Sequence, residues 1–290
     1  LARAAPSGLY CKPADAYIDA MQPHARVIVT HGHADHARGG HGTVWATPET
    51  LAIMRTRYGD EHCKTERDLG YAQEIDIGLD EPVWLSFHPA GHILGSAQVR
   101  LRYRDATVVI TGDYKLTPDP SCTPFTPIPC DVFITEATFA LPVFAHPHIK
   151  DQMQRLLDSL TQFPERCHLL GVYALGKCQR VLLALRELGY DKPIYAHGAM
   201  LKLIALYQSF DFDFGEVIAV TDVADPKSLA GELVLAPPSA LHDRWSRKLP
   251  NVLPVAASGW MQIRARAKQK NVELPLIVSD HCDWHELHAA

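Results

Sequence analysis

No apolar run in this chain approaches the roughly 18–20 residues that a membrane-spanning helix needs, which excludes an integral helical membrane protein. The opening Leu1-Ala2-Arg3-Ala4-Ala5-Pro6 has no apolar core segment, so no signal peptide is expected; with no starting Met, native ends are expected to be missing. Cys-x-x-Cys pairs are absent, and the cysteines number seven. That odd count argues against a disulfide framework or a thiolate zinc knuckle and for a reducing cytoplasm. A positive balance is absent too: 28 Lys and Arg against 33 Asp and Glu give a net charge of −5. Nucleic acid, if bound, must therefore meet a local basic surface. Internal repeats, low-complexity tracts and Gly/Ser linkers are also missing. What remains is a 290-residue chain, 47% hydrophobic and 21% charged, sufficient for one large domain or two modest ones with a buried core. Its sixteen histidines nearly match its 18 glycines, and several are clustered.

The first half reads as short strands between turns. Tyr17–Asp19, Ala25–Thr30, Pro82–Phe87, the alternating Ser96–Tyr103, the apolar Thr107–Thr111 and Asp131–Thr135 are expected strands, with a helix near Pro48–Tyr58. The five prolines between Pro118 and Pro129 predict an irregular connection. After about residue 145 the rhythm becomes α/β. Helices are expected over Ile149–Phe163, Lys177–Leu188 and Ala199–Phe210, and strands over His168–Val172, Pro193–Tyr195, Val217–Val220, Glu232–Leu235 and Pro275–Ser279.

Thr30-His31-Gly32-His33-Ala34-Asp35-His36 follows an apolar strand directly. Four ligand-type side chains on a strand-anchored loop can face one or two cations, and imidazole with carboxylate suits zinc, manganese or iron. The absence of thiolates argues against a purely structural zinc site. One loop cannot fill two coordination spheres, so more ligands are expected at other strand ends. His92 follows a strand and is flanked by glycines, and Asp113 ends the most apolar strand, with the reach to bridge two cations.

With Asp19 at another strand end, these motifs resemble the metallo-β-lactamase superfamily. The resemblance implies an αββα sandwich in which His31, His33 and His92 hold one metal, Asp35 and His36 hold the other, and Asp113 bridges them. Thr135-Glu136-Ala137-Thr138-Phe139, Tyr173-Ala174-Leu175-Gly176-Lys177 and Ser279-Asp280-His281-Cys282-Asp283-Trp284 narrow the resemblance to the β-CASP nucleases, with Glu136 matching their acidic motif A and His281 their motif B. Gly8-Leu9-Tyr10-Cys11, His88 to Val99, Leu235-Ala236-Pro237-Pro238-Ser239 and Ala257-Ser258-Gly259-Trp260-Met261 are similar to bacterial ligase-associated DNA exonucleases. The resemblance implies an α/β fold with residues 1–139 and 273–290 forming the metallo-β-lactamase domain and residues 140–272 an inserted α/β β-CASP domain. It departs in one respect: the group's last histidine, motif C, has no counterpart before the chain stops at Ala290. Either the native chain continues or the second metal has one fewer protein ligand.

Membership implies a cytoplasmic, metal-dependent DNA exonuclease in DNA repair, holding two divalent ions (Zn, or else Mn or Fe), with an ATP-dependent DNA ligase and a helicase as partners and no membrane. Asp35 would orient the attacking water or take its proton, and His281, paired with Glu136, would protonate the leaving oxygen. Glu136 could equally orient a metal-ligand histidine. Gly176-Lys177 at a helix start reads as a phosphate seat or an ordinary helix entry, and Lys115 as a second phosphate contact. Arg244-Trp245-Ser246-Arg247-Lys248 and Arg264 to Lys270 hold seven of the basic residues, either a DNA-backbone track with Trp245 stacking on a base or a solvated surface. Cys282 reads as a small buried residue. The competing functions are an RNA-processing β-CASP nuclease, a lactonase- or thioesterase-like metallohydrolase, and a non-catalytic DNA-end-binding scaffold.

Overall fold

Apolar residues at every second position of the early strands serve two different neighbours, and that alternation builds the layers of the first unit. In the computed structural model, which describes residues 1–290, strands β1 (Ala2–Ala5), β2 (Gly8–Cys11), β3 (Ala16–Ile18), β4 (Arg26–Ile28), β5 (His41–Ala46) and β6 (Cys63–Asp68) lie in sequence order in one sheet. It is antiparallel from β1 to β3 and parallel from β3 to β6. A second sheet has the order β11-β10-β9-β8-β7, from β7 (Glu74–Asp76), β8 (Trp84–Pro89), β9 (Ala97–Tyr103), β10 (Ala106–Ile110) and β11 (Val132–Ile134). Ile18, Ile28 and Trp45 of the first sheet share one buried cluster with Leu85, Phe87, Val99, Leu101 and Ile110 of the second, so the sheets pack face to face. Their chain neighbours Val27, Val29, Val44 and Ala46 point the other way, onto Leu51 and Met54 of helix α1 (Pro48–Tyr58). Thr47 caps α1 by accepting from the Thr50 N–H at 3.3 Å, and Pro48 opens the helix. This unit comprises Leu1–Phe139 and Glu286–Ala290.

The second unit, Ala140–His285, is built on a six-stranded parallel sheet with the order β14-β13-β15-β12-β16-β17. Its elements are α2 (Ile149–Gln162), β12 (His168–Gly171), α3 (Lys177–Glu187), β13 (Ile194–Ala196), α4 (Gly198–Gln208), β14 (Val217–Ala219), β15 (Leu233–Ala236), β16 (Leu253–Ala257), α5 (Arg264–Gln269) and β17 (Leu274–Leu276). Every residue of β12 and β15 is buried, as expected for the centre of a parallel sheet. The short helix α6 (Trp284–Ala289) carries the chain back to the first unit.

The structure departs from the expected layout at 273–290. β17 pairs in parallel with β16, through Val255–Leu274 to Ala257–Leu276, so residues up to His285 lie with the second unit and only Glu286–Ala290 with the first. The apolar Leu274-Pro275-Leu276 completes a sheet edge rather than returning to the sandwich. Strands β1, β2, β5, β6, β7 and β16 and helix α5 lie outside the elements read from sequence. No disulfide forms among the seven cysteines, and Cys282 is fully buried. No helix is long and apolar enough to cross a membrane.

Candidate metal centre

The carboxyl ends of four strands supply the site. β3 leads into Asp19, β4 through Val29 and Thr30 into His31, β8 into the loop carrying His92, and β10 into Asp113. Tight turns let these loops converge. Gly112 has φ +57°, and a Cβ there would meet the Thr30 Cβ and Oγ1 at 2.7 Å, so only glycine lets the chain turn against Thr30 and present Asp113.

The hydrogen bonds of Thr30 and Asp19 set the protonation of the cluster. The Thr30 hydroxyl donates its single proton to Asp19 Oδ2 at 2.7 Å and is left to accept from His31 Nδ1, 3.0 Å away. That holds the proton of His31 on Nδ1 and leaves Nε2 as a lone-pair donor. Asp19 also accepts from the Thr30 N–H at 2.8 Å and from His36 Nδ1 at 2.7 Å, which turns the His36 Nε2 inward. Burial works against a charged His36, but Asp19, Asp113 and Asp35 outweigh it and push its pKa up to about 9 before any cation binds.

Two donor sets result, and they share one oxygen. His33 Nδ1 lies 3.1 Å from His31 Nε2 and 3.0 Å from His92 Nε2, and Asp113 Oδ2 lies 3.5 and 3.7 Å from those same two Nε2 atoms. His31 and His92 are fully buried. Three imidazole nitrogens so close, beside a carboxylate oxygen, repel one another unless a proton or a cation sits among them. All four ligand atoms lie within 4.8 Å of one another, so the set fits a divalent ion. The second set is looser. His36 Nε2 is 3.5 Å from the same Asp113 Oδ2 and 3.9 Å from Asp35 Oδ2, and Asp35 is largely exposed.

The remaining site residues take varied positions. Glu136 accepts from the Tyr114 N–H at 3.0 Å and from the Thr138 hydroxyl, so both its oxygens are engaged within the first unit. Lys115 is not a phosphate-seeking surface cation: it is 9% exposed and its ammonium is 2.9 Å from Glu286, which also accepts from the Thr117 N–H and hydroxyl at 2.7 and 2.6 Å. At the expected phosphate seat, Gly176-Lys177, the helix entry is engaged within the chain. The Lys177 and Cys178 N–H groups are spent on the carbonyls of Leu175 and Tyr173, at 3.1 and 3.0 Å. The Lys177 side chain is 4% exposed, 2.9 Å from Asp280 Oδ1 and 4.7 Å from the centre of the Tyr173 ring. Asp280, 1% exposed, also lies 3.8 Å from His281 Nε2. Trp245 is half-buried, packs against the second unit's core and makes a T-shaped contact with the His197 ring at 4.5 Å.

Sequence reasoning missed Thr30, Asp280 and Glu286. Thr30 and Asp280 each immediately precede a histidine already singled out, a usable signal for a residue that orients it. Glu286 had none, because its partners Lys115 and Thr117 are remote in sequence.

Comparison with known proteins agrees with this geometry. The family model described as the metallo-beta-lactamase superfamily matches residues 23–171. A probable DNA ligase of Opitutus terrae is 28% identical over 97% of this chain and 27% of its own length. Transcription termination factor FttA of Methanosarcina mazei is 29% identical over 62% of this chain and 34% of its own, and endoribonuclease YSH1 of Candida glabrata 25% identical over 77% and 37%. The chain thus spans between about a quarter and two fifths of the length of these curated relatives. A family match over half the chain, taking in every ligand-type side chain from His31 to Asp113, makes this protein a member of the metallo-beta-lactamase superfamily.

Proposed function

We propose that the chain is a metal-dependent nuclease of the β-CASP group, acting as a DNA exonuclease, with residues 140–285 as its β-CASP domain. The observation that carries the reading is the sharing of Asp113 Oδ2 by two donor sets, three histidines on one side and His36 with Asp35 on the other. His31, His33, His92 and Asp113 would hold one divalent ion, and Asp35, His36 and Asp113 a second. Zinc suits the imidazole-rich first set, with manganese or iron as alternatives. Bound there, the pair would supply electrophilic activation of a phosphodiester and of the attacking water. The chain's own groups do the rest. Asp19 holds the His36 and Thr30 protons away from the metal-facing atoms, and exposed Asp35 has the access to accept a proton from solvent. His281, beside buried Asp280, is the candidate donor to the leaving oxygen, and Glu136 is the acidic residue that the sequence resemblance assigns to the same step.

Relatives support nucleic acid as the substrate class. An RNase J-like protein of Methanocaldococcus jannaschii, 28% identical over 63% of this chain and 50% of its own length, joins the endoribonuclease and the termination factor. The name of the ligase relative, which aligns with nearly the whole chain, favours DNA; a repair role, with an ATP-dependent ligase and a helicase as partners, is part of the proposal and rests on the sequence resemblance. The second reading, RNA processing, is favoured by the endoribonuclease name.

The test uses single-stranded DNA labelled separately at each end, and RNA of the same sequence, with Mn²⁺ or Zn²⁺ and an Asp113→Ala control. Metal-dependent release of mononucleotides from DNA, lost in Asp113→Ala, is the expected result, and the label lost first gives the polarity. Preferential internal cutting of RNA selects the second reading. A metal-loaded protein that cuts neither polymer sinks both.

A further inference from the structure

The second unit has a cavity of about 360 Å³ at the carboxyl ends of β12, β15 and β16, which the metal centre does not use. From β12 the chain moves to one side of the sheet, to β13, and from β16 to the other, to β17. Such a divergence of parallel strands opens a crevice at their carboxyl ends, where open α/β sheets bind ligands. The floor is apolar, with Leu241 and Met261, and the rim is polar, with Ser239, His242, Tyr173 and Lys270. No Asp or Glu lines it, and Arg264, Arg266 and Lys268 on α5 continue the positive charge from Lys270 on a chain that is negative as a whole. His242 donates from Nε2 to the Lys270 carbonyl at 2.6 Å, which ties the rim to the end of α5.

Tyr173 is the decisive residue. It is 56% exposed, among the most exposed large apolar or aromatic side chains in the molecule, yet its ring is held on one face by the Lys177 ammonium. Lys177 is itself buried and locked by Asp280 at 2.9 Å. A buried ion pair is weak evidence of stabilisation, but here it fixes the angle of an exposed aromatic ring. A flat ring with one face anchored and the other open is a stacking platform.

We propose that this cavity is a nucleotide subsite, taking one nucleoside monophosphate unit with its base on Tyr173 and its phosphate toward Lys270. The volume lies at the lower end of small-molecule sites, about 300–1,000 Å³, and suits one such unit. The role as a substrate subsite rests on the nuclease reading above; the binding itself does not.

The test is calorimetric titration of the full chain, in EDTA, with 5′-dTMP and with a five-nucleotide thymidine oligomer. Saturable binding is expected, weakened about tenfold or more by Tyr173→Ala and by Ser239→Trp, an exposed rim position where the indole fills the cavity. Lys270→Ala should weaken it too and lower the salt dependence by about one charge. Equal affinity for the two probes identifies a free-nucleotide site, and tighter binding of the oligomer identifies a strand subsite; both support the proposal. Absence of saturable binding, or binding untouched by all three substitutions in folded protein, overturns it. Asp113→Ala separates the two readings. It should lose DNA cleavage in metal and keep dTMP binding in EDTA, so binding without cleavage in the unmodified chain sinks only the nuclease, and cleavage without binding sinks only the subsite.

Discussion

Asp19 bonds both His36 and Thr30, and so decides which nitrogen of His36 and, through Thr30, of His31 can hold a cation. Asp19→Asn keeps the shape and removes the charge, so zinc affinity should fall about 10–100-fold, as measured by competition with a chromogenic chelator. Unchanged affinity would show that Asp19 has no orienting role. Glu286 gives a second test at this scale. Burial alone would raise its pKa, but Lys115 and the Thr117 bonds outweigh that and hold its carboxyl below the usual carboxylate range. A pKa lowered by folding contributes stability that is full above the unfolded value, about 4.3, and is lost as the pH falls through the folded value. Glu286→Gln should therefore cost roughly 1–3 kcal/mol at pH 7 in denaturant unfolding, and the gap to the parent should close as the pH falls below that range. A gap that widens in acid would contradict the pairing.

At the scale of elements, what was legible in sequence follows from how locally each signal is made. The helix over Pro48–Tyr58 is found where expected because its cap, its proline and its apolar positions are all local. The apolar run before His31 and the one before Asp113 fall on β4 and β10 for the same reason, and with them most of the metal centre came into view. The hairpin of β1 and β2 and the edges β6 and β7 did not, because Ala2–Ala5 and Cys63–Asp68 lack apolar alternation and owe their conformation to pairing with a neighbour. The partners of Lys177 were hidden for a related reason: a helix entry looks the same in sequence whether its amides face an anion or the preceding turn, and Asp280 lies more than a hundred residues away. The turn at Gly112 allows a direct test. Gly112→Ala puts a side chain at positive φ against Thr30 and should cost roughly 1–3 kcal/mol while weakening metal binding. Full stability with full metal content would show that the loop has room the structure does not suggest.

For the molecule as a whole, each unit carries its own core, one between two sheets and one around a parallel sheet. The proposed metal ligands all belong to the first unit, whereas the cavity with Tyr173 belongs to the second. Calorimetric unfolding with added Zn²⁺ should therefore raise the first unit's transition most, by the affinity and free concentration of the ion. Nucleotide in EDTA should raise the second unit's. A ligand that moved only the transition of the other unit would contradict the assignment of sites to units.

The central claim is that two donor sets share the Asp113 carboxylate, and metal content tests it most directly. After equilibration with Zn²⁺ and removal of loosely held ions, elemental analysis of the full chain should find two ions per molecule, and Asp113→Ala should retain at most one. A parent chain with no tightly held metal, or an Asp113→Ala variant that still holds two ions, would contradict the account.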